Sequence, residues 1–149
     1  MADHFKLTYA TMFNPPEELH QRFELALEQM KAALGKEYGM LINGKDVFTH
    51  DKFEDHSPAN TDILLGKFQR GGEEEAKAAL AAARQAFPAW SRLNWQERVR
   101  LLRKAAELLD ERTFEIGVAM ALEVGKNRME ALGDVAETAD LIRYACYQM

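Results

Sequence analysis

The chain has 149 residues, enough for one ordinary domain and too few for two. Apolar residues make up 47% and charged residues 29%, a balance that excludes a disordered chain, while 24 acidic against 19 basic side chains leave a net charge of −5 and argue against a dedicated nucleic-acid binder. A single cysteine, Cys146, excludes an internal disulfide and any zinc site that needs two thiolates from this chain.

The strictly apolar runs are only a few residues long, too short to span a bilayer. Met1–Ala10 carries Asp3, His4 and Lys6 and no apolar h-region, so no secretory leader is expected and a reducing, cytoplasmic setting fits best. In chain order, Asn14-Pro15-Pro16-Glu17 predicts a helix start with Asn14 as cap. Leu19, Phe23, Ala26, Leu27, Met30, Ala33 and Leu34 then recur at spacings of three and four, one apolar stripe on a polar helix that Gly35 can stop. Asn43-Gly44 between Met40–Ile42 and Lys45–Phe48 predicts a hairpin, because both turn positions need a residue that tolerates positive φ. Further strands are expected at Phe53–Ser57 and Ile63–Phe68, separated by the turn Ser57-Pro58-Ala59-Asn60.

From Glu73 the pattern is helical. Glu73, Glu74 and Glu75 occupy a first turn, where the helix dipole favours anions. Ala76, Ala79, Leu80, Ala83, Ala86 and Phe87 form a narrow stripe of mostly small residues suited to close approach by a neighbour, and Pro88 with Trp90 marks the expected exit. Asn94-Trp95-Gln96-Glu97 and Asn127-Arg128-Met129-Glu130 are two Asn-x-x-Glu helix starts. Between them, Val99, Leu102, Ala105, Ala106 and Leu109 line one helix face, and Thr113–Val124 is a shorter apolar helix closed by Gly125. The last helix runs into Tyr144-Ala145-Cys146-Tyr147-Gln148-Met149 with no Gly, Asn or Pro to stop it, the expected look of a truncated chain.

Few residues carry chemistry on their own. Gly71-Gly72 lacks both the G-x-G-x-x-G spacing and a Lys-Ser/Thr partner, and reads as a loop hinge. His50, Asp51, Glu54, Asp55 and His56 are metal-capable, but strand alternation sends neighbours to opposite faces, so a solvated edge is the default. Arg92, Arg98, Arg100, Arg103, Lys104 and Arg112 spread around a helical polar arc and read as a solvated face. Cys146, between Ala145 and Tyr147, reads as core packing rather than an activated thiolate. The last helix is more informative. Leu132, Val135, Ala136, Ala139, Ile142 and Cys146 form one apolar face, whereas Glu137, Leu141, Tyr144 and Gln148 form a second, half-apolar face nearly opposite. Glu137 reads either as an exposed glutamate without a role or as a carboxylate that holds or polarises a ligand.

Taken together, Phe53-Glu-Asp-His-Ser-Pro-Ala-Asn60, Ala82-Ala-Arg-Gln-Ala-Phe-Pro-Ala-Trp90, Glu97-Arg98 with Leu101-Leu-Arg-Lys-Ala-Ala106, and Glu123-Val-Gly-Lys126 resemble the aldehyde dehydrogenase superfamily in order and spacing. Leu34-Gly-Lys-Glu-Tyr38, Leu41-Ile-Asn-Gly44, and Asp134-Val-Ala-Glu137 with Asp140 and Tyr144 narrow the resemblance to the branch that oxidises L-glutamate γ-semialdehyde to L-glutamate in proline catabolism. The resemblance implies an α/β aldehyde-dehydrogenase-like fold, of which this chain is the mainly helical amino-terminal part with a small antiparallel β unit. Its pieces would be a subfamily helix over 14–35, the β unit over 38–70 and a helical layer over 73–149. The implied cofactor is NAD, and the implied chemistry is thiolate attack, hydride transfer and thioester hydrolysis. The Rossmann unit, nucleophilic cysteine and general-base glutamate of the family all fall beyond this chain, which alone would be inactive. The resemblance makes Glu137 a substrate-site residue. It also makes Glu123 an acidic position near a structural monovalent cation, with backbone groups of Asp55 and His56 as companion ligands. It gives no role to Lys126 or Arg128. Expected partners are the remainder of the dehydrogenase polypeptide, further copies in a homo-oligomer and a small aldehyde, with no nucleic acid and no membrane. The rival reading is a stand-alone helical interaction module derived from such an enzyme, without chemistry.

Overall fold

The computed structural model describes residues 14–149; the reading of Met1–Ala10 as leaderless lies outside the described residues. The chain order is α1 (Glu17–Lys31), β1 (Lys36–Tyr38), β2 (Met40–Ile42), β3 (Lys45–Val47), β4 (Lys52–Ser57), β5 (Asn60–Gln69), α2 (Glu73–Arg92), α3 (Trp95–Glu111), α4 (Thr113–Val124) and α5 (Arg128–Gln148). Two compact units divide the described residues, one of Leu34–Arg98 and one that joins residues 14–33 with Val99–Met149. Among the described residues no helix is long and apolar enough to cross a membrane.

The helical unit is built on the predicted stripes. Leu19, Phe23 and Ala26 of α1 are buried with Val118 of α4 and Leu132 of α5, and Leu27, Met30, Phe114 and Met129 pack around them. Helices α4 and α5 approach closely because Gly117 has no side chain: a Cβ there would lie 2.7 Å from Leu132 Cδ2. The inner face of α5 is as expected, with Leu132, Val135, Ala139 and Cys146 buried. Val99 and Ala106 are the buried residues of α3.

The start of α1 differs from expectation. Asn14 is not the cap: Pro15 itself precedes a proline and is driven out of the helical region, so it cannot be the first helical residue after an Asn14 cap. Pro16 takes the N-cap in an extended conformation (φ −66°, ψ 150°). The other two asparagine starts form as predicted. Asn94 Oδ1 accepts from Glu97 N–H at 2.8 Å and Asn127 Oδ1 from Glu130 N–H at 3.0 Å.

The sheet unit has two pieces, a three-stranded sheet ordered β1-β5-β4 and the β2-β3 hairpin. The hairpin pairs Met40 with Val47 and Ile42 with Lys45, and its turn places Asn43 at φ 52° and Gly44 at φ 72°. Strand β5 is longer than the predicted Ile63–Phe68, because its antiparallel pairing with β4 reaches from Asn60 to Gln69. Its antiparallel register with β4 slips between Asp55 and His56 and again between His56 and Ser57. Its other neighbour, β1, pairs in parallel and was not foreseen. One face of this sheet carries Tyr38, Phe68 and Phe53, stacked across the strands with ring centroids 5.2 Å and 5.7 Å apart.

Helix α2 also departs from expectation. It does not exit at Pro88 but continues to Arg92. The ring removes a single hydrogen bond, to the carbonyl of the exposed Arg84, where water can replace it. The following turn is closed by Leu93 N–H on Trp90 O at 3.2 Å and Ser91 Oγ on Pro88 O at 3.3 Å. No residue of α2 is buried, so its stripe stays largely uncovered among the described residues.

Candidate functional site

Glu137 sits on the third turn of α5, and its position follows from the helix alone. The inner face is consumed by the Leu132, Val135 and Ala139 packing, so Glu137 points outward with Leu141 and Tyr144, which are 59% and 63% exposed. The Glu137 carboxylate is exposed and makes no hydrogen bond or ion pair among the described residues. An unpaired carboxylate flanked by a leucine and a tyrosine can accept hydrogen bonds or a proton from a bound molecule while apolar surface beside it excludes water.

Glu123 lies in the last turn of α4, exposed and likewise without a partner among the described residues. A carboxylate at a helix C-terminus faces the negative end of the dipole, a cost that a cation would offset. Asp55 and His56 are neighbours on β4 at the register slip, paired with Gly66 and Leu64 across it, so that the extra residue, Leu65, lies on β5. The His56 ring is tied down, with Nδ1–H donating to Thr61 O at 2.8 Å and Nε2 3.6 Å from Glu54 Oε2. Asp55 and His56 thus belong to the sheet unit and Glu123 and Glu137 to the helical unit. Among the described residues, no three His, Cys, Asp or Glu side chains gather as a metal-ligand set.

The rest of the His50–His56 segment is a charged sheet surface. Lys67 Nζ stands 2.8 Å from Glu54 Oε1 and Lys52 Nζ 2.8 Å from Glu37 Oε1. Lys67, and secondarily His56, holds the Glu54 carboxyl below its usual value; Lys52 and the Gln69 amide do the same for Glu37. Gln69 is buried at the centre of a network the sequence did not reveal. Its Oε1 accepts from Thr49 N–H at 2.8 Å, and its Nε2 donates to Tyr38 O and Glu37 Oε1, both at 3.0 Å.

Neither the cysteine nor the glycine pair offers a reaction centre. Cys146 is buried, with Sγ 3.9 Å from Val99 O, as expected for core packing. The N-terminus of α2 follows β5 through Gly71-Gly72, an order that elsewhere cradles phosphate. Here Glu75 Oε2 already accepts the Gly72 N–H at 2.8 Å, and Glu73 and Glu74 add negative charge. These residues do not fit a dinucleotide.

Sequence reasoning also missed Arg128. Its guanidinium lies 4.4 Å over the Phe23 ring, donates to His20 Nδ1 at 2.8 Å and pairs with Glu24. His20, Phe23 and Glu24 share one face of α1, but nothing local announces which distant cation meets them.

Comparison with known proteins decides the lineage. The profile of the "Aldehyde dehydrogenase family" matches residues 47–149. The chain belongs to the aldehyde dehydrogenase family. Among its relatives, 1-pyrroline-5-carboxylate dehydrogenase 1 of Halalkalibacterium halodurans is 37% identical over 133 residues, 89% of this chain and 26% of that protein. The 1-pyrroline-5-carboxylate dehydrogenase of Geobacillus thermodenitrificans is 36% identical over 129 residues, 87% of this chain and 25% of that protein. A crystal structure of the Thermus 1-pyrroline-5-carboxylate dehydrogenase with bound NAD superposes with a TM-score of 0.88 at 33% identity, covering 99% of this chain and 28% of the other. The chain therefore spans about a quarter of the length of the curated relatives it matches. Its elements are those of the aldehyde dehydrogenase fold, as the resemblance implied.

Proposed function

We propose that this chain is the amino-terminal part of an NAD-dependent dehydrogenase that oxidises L-glutamate γ-semialdehyde, in equilibrium with 1-pyrroline-5-carboxylate, to L-glutamate in proline catabolism. The observation that carries the reading is the reach of the similarity. The 133-residue match to a 1-pyrroline-5-carboxylate dehydrogenase extends past the 47–149 segment common to the wider family. In this reading residues 14–35 form a subfamily helix, 38–70 a small β unit and 73–149 a helical layer.

The role of this chain is to present Glu137. Its carboxylate, with Leu141 and Tyr144 beside it, lines the substrate site and receives hydrogen bonds or a proton from the aldehyde substrate. The nucleophile belongs elsewhere, because the one cysteine here is buried. The dinucleotide belongs elsewhere too, so no step through NAD is assigned to these residues. Glu123 and the backbone carbonyls of Asp55 and His56 are proposed for a monovalent cation, which prefers hard oxygen ligands such as these. The protein works in the cytoplasm as a homo-oligomer.

The test is NAD reduction with L-glutamate γ-semialdehyde by the polypeptide that carries these residues in the cell. Turnover supports the reading. A gene product of 17.0 kDa that is monomeric and turns over no aldehyde overturns it in favour of the interaction module.

A further inference from the structure

We propose that Arg128 is a positioning residue: it clamps α1 to the first turn of α5 and thereby sets the direction in which α5 presents Glu137. The proposal rests on the functional reading above for its second half only.

Helix α1 ends at Lys31, ahead of residue 47, where the match to the family begins. Apolar packing of Leu19 and Phe23 seats it on α4. The hydrophobic term itself is non-directional. Arg128 supplies direction. A single guanidinium meets three residues of α1: its face covers Phe23 at 4.4 Å, one nitrogen donates to His20 Nδ1 at 2.8 Å, and another pairs with Glu24. A planar fork with a π face can satisfy all three at once; an ammonium cannot. With 28% of its side chain exposed, Arg128 is also shielded enough for these contacts to count.

The clamp sits at the first residue of α5. Just beyond it, Leu132 fills the gap over Gly117 and Asp134 pairs with Lys126. Glu137 comes on the next turn and has no partner of its own among the described residues, so only the helix frame aims it.

The experiment compares Arg128→Gln and Arg128→Lys with wild type in the complete polypeptide, reading amide hydrogen exchange and the steady-state kinetics of L-glutamate γ-semialdehyde. Arg128→Gln is expected to raise exchange across 17–31 and the first turns of α5 by about tenfold. It should raise KM for the semialdehyde roughly fivefold while kcat stays within about twofold. Arg128→Lys, which keeps charge but not the fork, should recover part of both. Unchanged exchange overturns the clamp. Raised exchange with an unchanged KM overturns the positioning role and leaves Arg128 as a stabilising contact alone. If wild type turns over no semialdehyde, the functional reading fails and the positioning role falls with it; the exchange pattern still decides the clamp.

Discussion

An exposed carboxylate with no protein partner can be removed without touching the core, which makes Glu137 the most direct residue-scale test. Glu137→Ala in the complete polypeptide should change stability by no more than about 0.5 kcal/mol. Aldehyde turnover should fall at least roughly tenfold if the carboxylate touches substrate. Unchanged kinetics with a large loss of melting temperature would reject the role. Gly117 gives the opposite case. Alanine there gains up to about 1 kcal/mol of helix propensity, but its Cβ would meet the buried Leu132 at 2.7 Å. Overpacking of that kind costs about 1–3 kcal/mol, so Gly117→Ala should destabilise by about 1 kcal/mol net, measured by denaturant unfolding. The core residues Leu19, Phe23 and Leu132 were legible because helical periodicity is written in the sequence itself. Arg128 was not, since the His20 that accepts its hydrogen bond lies 108 positions away and nothing in either local pattern favours that meeting.

Elements were read best where one local interaction decides them. The Asn94 and Asn127 caps and the Asn43-Gly44 turn depend on neighbours three residues away or fewer, and all three form as predicted. Elements decided by partners elsewhere were read less well. Strand β1 has three residues and no strong β pattern, and it exists because β5 offers it a parallel edge. The charged face of the same sheet carries a pH dependence. Glu54 and Glu37 have carboxyl groups held below the ordinary value of 4.5 by Lys67 and Lys52. For a carboxylate lowered in the folded state, the stabilisation is present above the unfolded value and disappears as pH falls through the folded one. Both pairs are exposed, so the effect is small and sensitive to salt. Amide exchange in β4 and β5 should therefore quicken as pH drops from about 5 to below 4, beyond the intrinsic trend. The Glu54→Gln variant should show less of that acid dependence, and an unaltered profile would contradict the assignment.

At the scale of the molecule, the apolar surface is unevenly used. The helical unit closes around Leu19, Val118 and Leu132, yet α2 buries nothing and exposes Leu80, Phe87 and Trp90, while α5 exposes Leu141, Tyr144 and Tyr147. Both outer stripes, Trp90 and Tyr147 apart, were visible in the sequence as periodic patterns. What the sequence could not say is which stripes are buried within these residues, because periodicity marks a face without naming its partner. Large contiguous apolar patches are uncommon on soluble monomers and mark surfaces made to be covered. That leads to a prediction about residues 1–149 produced as an isolated polypeptide. It should self-associate and bind a hydrophobic dye more strongly than the complete polypeptide at equal concentration, as sedimentation and dye fluorescence would show. It should also give no NADH signal with L-glutamate γ-semialdehyde, because its single thiol is enclosed beside the Val99 carbonyl and its Gly72 N–H already donates to Glu75. A freely monomeric, dye-silent chain would mean that these faces tolerate water. The open surface around Glu137 would then lose its reading as one wall of a substrate site.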